Sequence, residues 1–293
     1  MTGDGINDIV AMKKSDCSIA LEKGAPATKN ISNLILLDSN FANLKEAVYQ
    51  GRRVVNNVKR SATLFIMKDV CWFLMSIFPV LFSMPHSLEA TVMSATNIFI
   101  TGIGSFMLSI EPDKSEIQGN FLKDTLSRSI VAGVFMFLPI FFGYIWSFIK
   151  CGLDPTLISE YMANNLYPVL SICLTVCSFI IFFNICCPFT KYRRILFIIL
   201  ALAVAIVICA FPGFFLKNGT DYMKELLATY DDLWGLIMGI LSNVFKFDFI
   251  KSFGVDSWIF VGVFIPLSAI IYIVTDKLVG KLLNKTLFNN NKF

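Results

Sequence analysis

Histidine is almost missing from this chain, and charge is scarce. One histidine, His86, stands among 293 residues, and Asp, Glu, Lys and Arg make up only 16% of the chain against 56% hydrophobic residues. A single imidazole excludes histidine-rich metal centres, and His86 falls in a short stretch between two apolar runs, where it is most simply a solvated loop residue. The shortage of charge, with a mean hydropathy of +0.68, excludes an ordinary soluble domain, in which about a quarter of the residues are charged. A secretory leader is also lacking, because Met1 opens onto Thr2-Gly3-Asp4-Gly5 with neither a basic region nor an apolar core. Cysteine is present, but Cys71, Cys173, Cys177 and Cys209 lie inside apolar runs, where a thiol is a small hydrophobe. Cys173 and Cys177 share a helix face and Cys186-Cys187 marks a helix end, yet no histidine is near them to complete a metal site.

What is abundant is long apolar sequence. A bilayer core takes about 20 mainly apolar residues per helix, and six stretches satisfy this, at roughly 61–82, 88–110, 129–149, 166–187, 194–216 and 257–274. Residues 1–60 have short apolar runs, frequent charges and Gly/Asp/Asn turn signals, so they read as part of an α/β unit too small to fold alone. The predicted fold is therefore a mainly α membrane protein, with six transmembrane helices preceded by a partial α/β segment.

Lys and Arg collect in alternate loops. Lys45, Arg52, Arg53, Lys59 and Arg60 precede the first span; Lys114, Lys123 and Arg128 follow the second; Lys191, Arg193 and Arg194 follow the fourth; Lys277, Lys281, Lys285 and Lys292 end the chain. The loop at 83–87 has no Lys or Arg, and that at 150–165 has Lys150 alone. The positive-inside rule then puts both termini in the cytoplasm. The run Leu233–Leu241 is apolar but too short to span; beside Asp231 and Asp232, with Trp234, it reads as an interfacial helix.

The seven residues Thr2-Gly3-Asp4-Gly5-Ile6-Asn7-Asp8 hold two carboxylates, an amide and two glycines, just before the helix-like run Ile9–Lys14. This chemistry suits magnesium, which is typically held by one or two carboxylates together with phosphate oxygens and water. The glycines are expected to let backbone approach an anion and to adopt positive φ. Taken alone, an Asp-Gly turn is also an ordinary turn dipeptide.

The motif TGDGIND resembles the TGDGxND hinge motif of P-type ATPases. Ala11–Ala20, Leu34–Asp38 with Asn40-Phe41, and Gly51–Arg53 with Asn56–Arg60 resemble the family's continuation into its next strand, the segment before the stalk, and the stalk entering the fifth membrane helix. The likeness covers residues 1–112, and the later helices match by number and spacing. It implies a haloacid-dehalogenase-like phosphorylation-domain piece at 1–43, a cytoplasmic stalk at 44–60 and a six-helix membrane domain at 61–293. It implies that Asp4 binds Mg2+, that Asn7 and Asp8 order the phosphorylation site, and that Thr2, Gly3 and Gly5 take part in cofactor binding. The family's DKTGT aspartate, its inserted ATP-binding domain and its TGE loop are absent from these 293 residues. The resemblance thus implies an incomplete pump, a fragment that does not hydrolyse ATP alone and whose partners are the missing N-terminal part, a transported inorganic cation and the lipid bilayer, with no nucleic acid. The expected location is a bacterial plasma membrane.

Ionisable groups within a bilayer are costly and mark candidate sites. Lys68 and Asp69 interrupt the first span. Lys68 lies only about 10 Å beyond Ser61 and can snorkel to the interface, whereas Asp69 is too short to do so. The next span carries Ser94, Asn97, Thr101, Gly104 and Ser105 at spacings that form one polar stripe on a helix. Asp69, Asn97 and Thr101 are the candidate ion path; the alternative is that small polar residues glue helices together. By resemblance, Asn97–Gly102 falls where calcium pumps carry an Asn…Asp-Gly ion segment, with Thr101 in place of the acid. Ser171, Thr175 and Ser178 form a weaker candidate face, because such hydroxyls commonly bond back to their own helix. A calcium-like cation pump is the first reading; a phospholipid-flipping relative and a non-catalytic membrane protein are the alternatives.

Overall fold

The computed structural model describes residues 1–38, 40, 42–82, 93–94, 96–117, 119–152, 154–210, 228–229, 235 and 255–290. His86 and the predicted interfacial helix Leu233–Leu241 lie outside them, apart from residue 235. The chain divides into two units, residues 1–56 with 112–117, and residues 57–111 with 118–293.

The first unit contains a three-stranded parallel sheet ordered β1-β2-β3, from β1 (Thr2–Gly3), β2 (Ile19–Leu21) and β3 (Leu34–Leu36). The crossovers are the short helices α1 (Ile9–Lys14) and α2 (Pro26–Ile31). Pro26 opens α2 at a position where its missing N–H costs nothing. The Asn33 side chain holds the start of β2: its Oδ1 accepts from both the Ser18 backbone and the Ser18 hydroxyl at 2.9 Å.

The second unit is helical. Helix α3 (Ala42–Leu81), whose residues up to Asn56 count with the first unit, runs without interruption through what the sequence divides into stalk and first span. It buries Leu64, Met67, Cys71 and Met75, a stripe at three- and four-residue spacing. A π-helical segment, Thr96–Gly104, leads into α4 (Ser105–Ile110). Then follow α5 (Phe121–Cys151), the short α6 (Pro155–Tyr161), α7 (Tyr167–Cys186), α8 (Lys191–Ala210) and α9 (Val255–Asn290). Helix α5 starts well before the predicted 129, because Asn120 caps it by accepting from the backbone of Leu122 and Lys123.

Among the described residues five helices are long and apolar enough to cross a membrane: Ala42–Leu81, Phe121–Cys151, Val169–Cys186, Lys191–Ala210 and Ile259–Val279. The span predicted at 88–110 is described mainly over Thr96–Ile110, which is too short to cross by itself; residues 88–92 and 95 lie outside the described residues, as do 211–216 of the span predicted at 194–216.

Apolar burial is not the force that joins helices inside lipid, since the tails are as apolar as the side chains; close packing is. Helix α5 packs against α7 and α9. Phe135 stacks on Tyr272 at 4.5 Å and Phe142 on Phe264 at 4.8 Å between ring centroids. Against α3, Phe78 packs on Phe137, Phe141 and Tyr144 at 5.6, 5.4 and 5.5 Å between ring centroids, and Gly133 allows a close approach: a Cβ there would lie 2.5 Å from Val70 Cβ and 2.8 Å from the Met67 carbonyl oxygen.

Candidate functional site

Asp4 follows β1 directly, at the carboxyl edge of a parallel sheet, where α/β folds place their ligands. The turn after it is built by Asp8. Its Oδ2 accepts from the backbone N–H of Asp4 and of Gly5, each at 3.2 Å, so this carboxylate shapes the loop and leaves Asp4 exposed. Asn7 is exposed in the single 3-10 turn Ile6–Asp8, and the Asp4 carbonyl accepts from Ala25 N at 2.8 Å at the start of α2. Thr2 and Gly3 are strand residues paired with Ile19 and Ala20.

The glycines serve differently from expectation. Gly5 is extended, with φ of −102°, and neither it nor Gly3 takes positive φ. Gly3 is required for space, because a Cβ there would lie 2.6 Å from Asp8 Cβ and 2.8 Å from the Met12 sulfur. Gly3→Ala should therefore cost about 1–3 kcal/mol by overpacking. Hydrogen exchange of residues 1–21 would show it as lost protection, and unchanged protection would refute the close fit.

The donor set suits magnesium. One exposed carboxylate, Asp4, faces outward while Asp8 is committed to backbone amides, and magnesium commonly accepts one protein carboxylate with the rest of its shell from phosphate and water. Bound there, the ion would neutralise phosphate charge. Among the described residues no cluster of three or more His, Cys, Asp or Glu side chains suggests another metal site. The cysteines are free thiols, with Cys71, Cys173, Cys177 and Cys186 buried in the helical core.

In the membrane unit, the structure separates the predicted ion-path residues. Asp69 lies two positions from both Met67 and Cys71, which places it on the opposite face of α3. Its side chain is 70% exposed and its carboxylate stands 3.8 Å from Lys68 Nζ. Trp72 and Ser76, three and seven residues further along α3, are half-buried and exposed. Asp69 therefore does not join Asn97 and Thr101.

Those two stay together. Asn97 Oδ1 and Thr101 Oγ1 are buried atoms without a hydrogen-bond partner among the described residues, and Thr101 is 2% exposed. They sit on the π-helical segment, a rare geometry that is frequent at functional sites. Ser105 Oγ donates to the Thr101 carbonyl, so the next turn turns its own hydroxyl inward. Thr96, absent from the predicted stripe, is fully buried and its hydroxyl lies 3.3 Å from that of Ser178 on α7. Ser178 and Thr175 otherwise bond back to their own helix, to Thr175 O at 2.7 Å and to Ser171 O at 2.8 Å. Two unsatisfied buried oxygens are costly in a protein interior, and oxygen is the ligand that hard cations require.

Sequence reasoning missed a buried ion pair. Glu111, 3% exposed, accepts from Arg193 Nε at 2.7 Å and from Thr190 Oγ1 at 2.9 Å, and Arg60 stands 3.5 Å away. Arg193, 2% exposed, also donates to the Pro188 carbonyl at 2.9 Å. Asn57 Nδ2 donates to the backbone carbonyls of Glu111 and Ser109, at 2.7 and 2.9 Å. The one available signal was a glutamate ending an apolar run, and Arg193, counted as a loop charge, is in fact buried.

No family model matches the chain. It is 29% identical over 212 residues to a probable cation-transporting ATPase of Streptococcus pneumoniae, covering 68% of this chain and 25% of that protein. It is 28% identical over 179 residues to the calcium-transporting ATPase CtpE of Mycolicibacterium smegmatis, covering 56% and 22%. It is 30% identical over 141 residues to human calcium-transporting ATPase type 2C member 2, covering 46% and 15%. Its curated relatives are cation-transporting P-type ATPases. The chain spans about a quarter or less of the length of each of these relatives. With five apolar helices of spanning length among the described residues, it is an integral membrane protein.

Proposed function

We propose that these residues form the hinge loop and the carboxyl-terminal membrane helices of an ATP-driven inorganic-cation pump, calcium being the first candidate. Asn97 and Thr101 carry the reading: two buried, unpartnered oxygens on a π-helical segment are what a dehydrated cation would satisfy. Asp4, with its turn set by Asp8, would hold Mg2+ at the phosphate end, with Asn7, Thr2, Gly3 and Gly5 shaping the loop. Asp69 is left to the exposed face beside Lys68.

The test is a chimera in which this chain replaces the matching segment of the Streptococcus pneumoniae relative. Given ATP, the chimera should form an acid-stable phosphoenzyme and show ion-stimulated hydrolysis, and Asp4→Asn should weaken its magnesium-dependent phosphorylation. The 293 residues alone should form none, since they contain no DKTGT aspartate. A labelled phosphoenzyme on the chain alone, or a chimera indifferent to every cation tried, would sink the reading. Both termini are proposed to be cytoplasmic, in a bacterial plasma membrane. A cysteine introduced at Lys191 should then react with membrane-impermeant reagent only from the inside.

A further inference from the structure

Helices α7 and α8 diverge to leave a groove of about 470 Å3 that the proposed ion path does not use. Its α8 wall is Phe197, Ala201, Val204 and Ile208, a stripe at three- and four-residue spacing; its α7 wall runs from Ile172 to Phe183. The one hydroxyl on it, that of Thr175, is already donated to the Ser171 carbonyl, so the lining asks nothing polar of an occupant. From Phe197 to Ile208 the groove runs about 16 Å along α8 at about 1.5 Å per residue. That is the depth of one leaflet, half of a hydrocarbon core of about 30 Å.

The end nearest the start of α8 is cationic. Arg194 continues the same stripe one turn before Phe197, and Lys191 precedes it by a further turn. Both are exposed, and neither forms an ion pair among the described residues, in contrast to buried Arg193 between them. Phe183, Phe189 and Phe197 form an aromatic cluster between the basic end and the groove, with Phe183 and Phe197 at 5.6 Å and Phe189 and Phe197 at 6.2 Å.

We infer that this groove binds an anionic phospholipid from the leaflet at the Lys191 end, its acyl chain against α7 and α8 and its phosphate on Lys191 and Arg194. An acyl chain suits a lining with no unpaired polar group. Guanidinium and ammonium groups at the interface suit a phosphodiester, for which arginine supplies paired donors.

The test uses the delipidated, detergent-purified chain, titrated with phosphatidylglycerol or phosphatidylcholine of matched acyl chains and read by native mass spectrometry. Two basic residues, each contributing about fivefold at a membrane surface, should favour phosphatidylglycerol by about 25-fold. Lys191→Ala with Arg194→Ala should abolish that preference and leave weak binding of both lipids. Ala201→Phe, which fills the groove, should reduce retention of both. Inorganic phosphate should not displace the lipid, which separates a lipid site from a bare anion site. Equal affinity for the two lipids in the native chain, or an unchanged preference in the double variant, would overturn the proposal. So would retention of neither lipid by the native chain. If Ala201→Phe fails to fold, the double variant decides the matter, because its two side chains are exposed. This inference does not depend on ion transport.

Discussion

Arg193→Ala should cost the membrane unit about 3–5 kcal/mol, the expected effect of leaving a buried charge without its partner. Glu111 would keep Arg60, at 3.5 Å, and the Thr190 hydroxyl. The released carbonyls of Cys186 and Pro188, which Arg193 also reaches, would add to the loss. Fluorescence-detected thermal melting in detergent would show it as a large drop, and an unchanged melt would refute the network's importance. The pairing itself need not be strongly stabilising. Replacing both partners, Glu111→Leu with Arg193→Met, should recover most of the loss, because apolar groups of similar volume often substitute for a buried ion pair at little cost. Arg52→Ala, by contrast, should change stability by about 1 kcal/mol or less, since its partner Glu116 is 79% exposed.

Asn97→Ala or Thr101→Val, made in the chimera, should weaken apparent ion affinity about tenfold to a hundredfold. This corresponds to one lost contact with a charged group, about 1.5–3 kcal/mol. The magnesium dependence of phosphorylation should stay where it was, because Asp4 serves the phosphate end. Ion-stimulated ATP hydrolysis across a concentration series measures both. If the two oxygens only pack helices, the variants would melt differently and keep native ion affinity. Asp69→Asn should leave ion affinity unchanged, because an exposed carboxylate beside Lys68 has no part in a buried oxygen set.

Five apolar helices and the Asp4–Asp8 turn were legible for different reasons. Apolar runs of about 20 residues leave few alternatives in a chain so poor in charge. The Asp4–Asp8 loop is local, so its residue types and spacing already contain its geometry, although the role of Gly3 emerged only with Met12 and Asp8 around it. The start of α5 was hidden because Lys123, Asp124 and Arg128 look like loop charges, while in the structure Asp124 receives Lys59 at 2.7 Å. The Glu111 network was illegible in principle: Asn57, Arg60, Glu111, Thr190 and Arg193 come from distant segments, and only packing brings them together. Asp69 shows the opposite case. Its place two residues from Met67 and Cys71 already set it on the outer face, and the rarity of a membrane carboxylate outweighed that simpler geometry.

The close approach at Gly133 bears on how such a pump could move. Where even one methyl group would collide with Val70, the backbone of α5 lies directly on α3, and the fit at that point admits no added carbon. The π-helical stretch Thr96–Gly104 lies outside that contact, and its backbone departs from α-helical spacing. In the mechanical terms of the proposed pump, rewinding that one segment would shift the Asn97 and Thr101 oxygens without disturbing the Gly133 contact.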